Sequence, residues 1–163
     1  KVLAKKFGLD KNRIILGSGS DQIFELVCKL FLTKNDEVIT VANSDIPTSH
    51  AISLVGAKIK WVDVNEDTLN IDEEKIEQSI NRKTKAILPV HLFGNPCNMS
   101  KILSIARKYK LKIIEDACLA TGAEYKNKKI GSFGDLTVFS TNPGKILDGI
   151  GPGGIITTNK KNR

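Results

Sequence analysis

Lys145 sits in "FSTNPGKILDGIGPGG", residues 139–154, five residues after Ser140 and between a Pro-Gly pair and a run of glycines. An amine placed there can form a Schiff base with a carbonyl or carry a proton, provided other groups converge on it. By itself it is one solvated loop lysine among many. A second stretch, "KIIEDACLATGA", runs an apolar segment straight into Glu115 and Asp116. Ligands of open α/β sheets gather beyond the carboxyl ends of strands, so an acid at that position faces the expected crevice. A helix cap or a surface ion pair accounts for it equally well in isolation. "LTVFST" puts Ser140 at another strand end, and "GSGSDQ" puts Gly19 and Ser20 where a helix begins. Free backbone N–H groups at such a start can hold a single phosphate, although an ordinary capped helix fits the same residues.

An amine, a carboxylate, a hydroxyl and a phosphate-competent helix start are what pyridoxal 5′-phosphate requires. Its phosphate takes backbone and hydroxyl donors, its ring nitrogen a carboxylate, and its aldehyde an amine.

Short Val- and Ile-rich runs alternate with amphipathic stretches and would position these groups. Strands are expected at 13–17, 36–42, 58–64, 85–91, 111–117, 136–141 and 153–158, mostly apolar throughout, as strands covered on both faces are. "SDQIFELVCKLFL" places Ile23, Leu26, Val27, Leu30 and Phe31 on one stripe, with Ser20 or Asp21 as cap. "PTSHAISLVG" opens on Pro47 and closes on Gly56, "DEEKIEQSI" carries acids in its first turn, and "MSKILSIARKYK" turns Met99, Ile102 and Leu103 inward. Strands alternating with helices imply a layered α/β sheet, largely parallel.

At 163 residues with 40% hydrophobic and 26% charged composition, the chain reads as one domain with a sizeable core. It opens without Met and reads as a piece of a longer protein. No apolar run approaches a membrane span. The net charge of +7 comes from lysines scattered among acids, as in "IDEEKIEQSINRKTK", with no basic stripe or aromatic platform for nucleic acid. Cys28, Cys97 and Cys118 lack zinc or CxxC spacing, and with only His50 and His91 beside them a metal site is not expected. Scattered thiols without an export signal point to the reducing cytoplasm. As nucleotide fingerprints the glycines fail: Gln22 breaks the first cluster, and Gly149, Gly151 and Gly154 match GxGxxG but precede a strand pattern.

The segments "TKAILPVHLFGNPCNM", "IIEDACLATGAEYKNKKIGSFGD" and "VFSTNPGKILDGIGPGGIITTN" resemble the fold type I pyridoxal-phosphate enzymes, specifically the DegT family of sugar aminotransferases. "RIILGSGSDQIFELV" leans towards the histidinol-phosphate aminotransferase branch, which has the same cofactor and reaction type. The resemblance implies a three-layer α/β fold with a mostly parallel seven-stranded sheet and one antiparallel strand at "GGIITT". Residues 1–163 would then be the large domain of an aminotransferase, without its carboxy-terminal small domain. It further implies a keto-sugar substrate, an amino-acid donor, and a homodimer whose subunits share the site. Lys145 matches the Schiff-base lysine and Asp116 the partner of the pyridine nitrogen. Ser140, Gly19 and Ser20 match phosphate contacts, and Cys118 the small residue behind the ring.

Four positions depart from the pattern. Leu119 stands where a Gln contacts the ring hydroxyl, and Asp45 where an aromatic ring stacks on the cofactor. Gly144 replaces Ser or Thr, and Asn142 replaces a common aromatic. The reading is therefore an aminotransferase, with a degenerate, non-catalytic scaffold of the same fold as the alternative.

Overall fold

The computed structural model describes residues 18–158. The main sheet has six strands: β1 (Glu37–Thr40), β2 (Lys58–Trp61), β3 (Thr84–Ile87), β4 (Lys112–Asp116), β7 (Leu136–Ser140) and β8 (Gly154–Thr157). Their order is β2-β1-β3-β4-β7-β8. Neighbours run parallel except β8, which pairs antiparallel with β7 in the register Thr137↔Thr157 to Ser140↔Gly154. Among the described residues the main sheet has six strands where seven were expected; the stretch 13–17 lies outside them.

Among the described residues four α-helices connect or flank the strands: α1 (Gly19–Phe31), α2 (Ile46–Leu54), α3 (Glu73–Ser79) and α4 (Met99–Tyr109). Helix α1 packs on α2, β7 and β8, whereas α3 packs on α4, which lies against β3 and β4. The two groups cover opposite faces, so the inner strands bury both: Val38 with Ile39, Ala86 with Ile87, Ile113 with Ile114. Each such Val or Ile side chain contributes roughly 1.5–3 kcal/mol of burial. At the edge, β2 carries Lys58 and Lys60, and charge on a free edge discourages further pairing.

Strand β1 leads through α2 to β2 on one side, and the chain then crosses back to β3 on the other. The gap between the carboxyl ends of β1 and β3 is therefore a topological switch point, the usual place for a ligand.

Three local expectations are corrected. The N-cap of α1 is Ser18, not Ser20 or Asp21, and it makes no side-chain cap bond. Instead Gln22 reaches back with Oε1 to accept the Ser18 amide at 2.7 Å, and Ser20 Oγ donates to Asp21 Oδ1 at 3.2 Å. The buried stripe of α1 is Ile23, Phe24, Val27 and Cys28, while Leu30 is 66% exposed. The helix presents these paired positions because it packs on the sheet and on α2 together. A small antiparallel hairpin, β5 (Glu124–Tyr125) with β6 (Lys128–Lys129), was not expected. Its turn residues Lys126 and Asn127 both have positive φ, 50° and 61°, as a two-residue hairpin turn demands.

Candidate functional site

A cavity of about 200 Å³ opens at the switch point. The ends of β1, β3, β4 and β7 contribute to it. Ser44, Asp45, Pro47 and Thr48 follow β1; Val90 and Leu92 follow β3; Asp116, Cys118 and Leu119 end and follow β4; Asn142 and Lys145 follow β7. Ser20, Asp21 and Phe24 come from the start of α1. A larger open groove of about 500 Å³ lies at the other end of β4, between α4 and the 133–135 turn, and holds none of the expected site residues.

Asp116 forms the floor. It is 5% exposed, and the end of its strand is clamped on both sides. The Asp116 amide donates to Pro89 O at 2.9 Å, the His91 amide to Asp116 O at 3.0 Å, and the Ala117 amide to Val138 O at 2.9 Å. The carboxylate accepts from Thr48 Oγ1 at 2.7 Å through Oδ2 and from the Cys118 amide at 3.1 Å through Oδ1. Burial raises its pKa above the ordinary 3.8, and these two donors oppose that rise without cancelling it. The group is therefore short of positive charge.

Lys145 is half-buried on the cavity wall. Its amide donates to Asn142 O at 3.0 Å, closing the turn that follows β7, and Gly144 holds φ +86° within it. Cys118 lines the same cavity, within electrostatic reach of both Asp116 and Lys145. Burial, and next the Asp116 charge, push its thiol well above the ordinary range, so it remains a protonated, unreactive wall.

The structure thus brings Ser20, Asp116, Cys118 and Lys145 into one cavity. Gly19 and Ser140 lie outside its lining. Gly19 is buried at the first turn of α1 with φ +83°. Ser140 is fully buried at the end of β7, where its Oγ accepts the Asn142 amide at 3.3 Å and keeps its own hydrogen for another acceptor. Three of the four departures, Asp45, Leu119 and Asn142, line this cavity. Asp45 is the N-cap of α2, its carboxylate accepting the Ile46 amide at 2.8 Å, and Asn142 Oδ1 accepts the Gly153 amide at 3.0 Å.

The glycine run has a packing role. A Cβ on Gly153 would lie 2.3 Å from Thr141 Oγ1, and one on Gly154 3.0 Å from Ser20 Cα. Only glycine lets β8 pass the head of α1 this closely. Sequence reasoning also missed Thr48 and Ser44. Their only signal was a pair of hydroxyl residues four apart around a helix start, Ser44 and Thr48 in "SDIPTSH". Among the described residues, no cluster is placed to hold a metal ion and no helix is long and apolar enough to cross a membrane.

A mostly parallel sheet thus carries a buried carboxylate, Asp116, and a lysine, Lys145, in the lining of one switch-point cavity. A model of the DegT/DnrJ/EryC1/StrS aminotransferase family matches residues 1–163, and the chain belongs to that family. It is 40% identical to the GDP-perosamine synthase of Caulobacter vibrioides over 91% of its own length and 40% of that protein's. NtdA from Bacillus subtilis, solved with bound cofactor PMP, superposes with a TM-score of 0.81 at 41% identity, covering 90% of this chain and 33% of that one. The Escherichia coli GDP-4-keto-6-deoxy-D-mannose-3-dehydratase with bound hydrated PLP gives 0.85 at 32% identity, covering 98% and 42%. The chain spans about two fifths of the relatives' length.

Proposed function

We propose that this chain is the cofactor-binding portion of a pyridoxal-phosphate-dependent aminotransferase that moves an amino group from an amino-acid donor to a keto sugar. The observation that carries the reading is the convergence of Asp116 and Lys145 on one cavity at the switch point, in a chain of this family. The donor set suits the cofactor. Asp116 is buried and short of positive charge, which a protonated ring nitrogen supplies. When bound, the cofactor acts as an electron sink for charge developing on the substrate carbon.

Lys145 would hold the cofactor's aldehyde through its amine, and the same amine, when free, would carry a proton at the substrate carbon. Asp116 keeps the ring nitrogen protonated. Cys118 fills the space behind the ring as a neutral small residue. Gly19, Ser20 and Ser140 are the phosphate set, from the first turn of α1 and the end of β7. The Ser140 hydrogen left over from its bond with Asn142 suits that task.

Homodimerisation with a shared site is supported by exposed apolar residues beside the cavity walls. Ile46 is 75% exposed next to Asp45, Phe93 79% next to Leu92, and Ile146 66% next to Lys145. Three free cysteines support a cytoplasmic location.

The second reading, a scaffold that binds the cofactor poorly, is favoured by Asp45, Leu119 and Asn142 all lining the cavity. A histidinol-phosphate aminotransferase-like reaction is the other alternative. The test is the intact protein with added pyridoxal phosphate, followed by nucleotide-linked keto sugars with glutamate as donor, or histidinol phosphate with 2-oxoglutarate as acceptor. A visible absorbance band that borohydride traps on Lys145, with amino-sugar product, supports the enzyme. No band supports the scaffold, and product only from histidinol phosphate moves the chain to that branch.

A further inference from the structure

Thr48 has one hydroxyl hydrogen, and it is spent on Asp116 Oδ2 at 2.7 Å. Ser44 Oγ lies 2.8 Å from the same Thr48 oxygen. Because Thr48 cannot donate twice, the hydrogen between the two hydroxyls belongs to Ser44. The chain of bonds therefore has one direction, Ser44 to Thr48 to Asp116. Thr48 is 2% exposed, so water does not substitute for either partner there. Ser44 is half-buried and lines the cavity. Both hydroxyls ride on the start of α2, which Asp45 caps and Pro47 stiffens.

We propose that Ser44 and Thr48 form a one-way hydroxyl relay that keeps the Asp116 carboxylate charged and its remaining lone pairs turned to the cavity. The importance of the relay rests on the role proposed above for Asp116. Both are positioning residues, acting on the cofactor only through that carboxylate. A hydroxyl polarised by a donor behind it is a better donor in front, so removing Ser44 weakens the Thr48 bond without touching Asp116. Removing the Thr48 hydroxyl takes away the largest of the groups that oppose the desolvation of this buried charge, leaving chiefly Cys118 through its amide and thiol. The other titratable groups facing this carboxylate or lining its cavity are His91 beyond β3, Cys118 after β4, Asp21 on α1, Asp45 at the cap of α2, and Lys145. The substitutions proposed here touch none of them.

The experiment follows the Asp116 carboxyl carbon by ¹³C NMR in the intact, cofactor-free protein labelled at aspartate, the signal being assigned by its loss in Asp116→Asn. Thr48→Val is expected to move the carboxyl titration midpoint to higher pH. Ser44→Ala is expected to move it the same way by less, and Thr48→Ser to restore the wild-type value. Added pyridoxal phosphate then binds Thr48→Val about tenfold more weakly than wild type and Thr48→Ser normally, the effect of one charge-assisted hydrogen bond. A wild-type midpoint in either Ser44→Ala or Thr48→Val overturns the relay. If Thr48→Val does not fold, Ser44→Ala decides alone. Shifted midpoints in a protein whose wild type ignores pyridoxal phosphate would leave the relay standing and sink the cofactor reading.

Discussion

Glu115 and Asp116 are neighbours on β4, both buried, and they have opposite fates. Strand alternation turns them to opposite faces of the sheet. Glu115 meets a closed set of donors: His91 Nε2 at 3.1 Å on Oε2, with the Gly134 amide at 2.6 Å and Thr137 Oγ1 at 2.7 Å on Oε1. His91 accepts the Cys97 amide at Nδ1, so its ring hydrogen is on Nε2 and points at Glu115. Burial pushes the Glu115 pKa up, but His91, Thr137 and Gly134 together hold it below the ordinary 4.5. Asp116 has two donors and an open cavity, and its pKa is raised. One acid is fully partnered within the fold; the other is left wanting a cation. The difference separates a structural carboxylate from one available to a ligand, although in the sequence they are a single acidic pair.

The comparison breaks or holds first at the cavity. Lys145→Ala in the intact protein is expected to lower transamination by at least roughly 10²–10⁴-fold, with circular dichroism and melting unchanged, because a half-buried loop lysine contributes little packing. Near-normal turnover would remove Lys145 from the site.

Asp116→Asn is expected to lower turnover about a hundredfold or more, since an amide cannot balance a charged ring nitrogen. The same substitution should raise the melting temperature of the cofactor-free protein. It removes an under-compensated buried charge, and the Thr48 hydroxyl can reverse to accept the new amide hydrogens. Unchanged activity with altered stability would make Asp116 as structural as its neighbour.

For Glu115→Gln the expectation inverts. Oε1 is met by a backbone amide and Oε2 by an imidazole N–H, so either amide orientation sets a donor against a donor. A loss of about 1–3 kcal/mol in urea unfolding is expected, with cofactor binding retained. The pH dependence sharpens the contrast. Glu115 sits below its unfolded value, so its stabilisation is full above about pH 4.5 and is lost as pH falls through its folded pKa. Asp116 sits above its unfolded value, so its contribution is full below pH 3.8 and is lost as pH rises through its folded pKa. Melting curves of cofactor-free Glu115→Gln should lie below wild type at neutral pH and those of Asp116→Asn above. Both should converge on wild type in acid. Parallel curves for the two variants would erase the distinction.

The smallest effect is expected at the rim. Asp45→Ala removes the exposed cap of α2 and should cost about 1 kcal/mol in thermal or urea melts. Asp45→Asn, which preserves the cap, should restore most of it. A loss that Asn does not rescue would assign Asp45's effect to its charge in the cavity.

Local order was written in the sequence. The apolar runs at 36–42, 111–117 and 136–141 became β1, β4 and β7, and the acids of "DEEKIEQSI" became the capped start of α3, where Asp72 accepts the Glu74 amide at 3.0 Å. Lys145, Asp116 and Ser20 were each visible as a residue of suitable chemistry near an element end, because short-range periodicity and turn residues mark such ends, whereas Cys118 was singled out only by the family resemblance. Their convergence was implied by the resemblance but not shown by spacing along the chain. Thr48 and Asp116 are 68 residues apart, and only the strand order that sets β1 two places from β4 brings them into contact. The burial of Leu30 was misjudged for a related reason: helical spacing defines a stripe, but which side of it is covered depends on what packs there. The glycines of "GIGPGG" gave the same ambiguity until β8 was seen to pass the head of α1. Residue chemistry and element boundaries follow from neighbours along the chain. Which acid serves the fold and which faces a ligand depends on neighbours across the sheet, and only the tertiary structure supplies those.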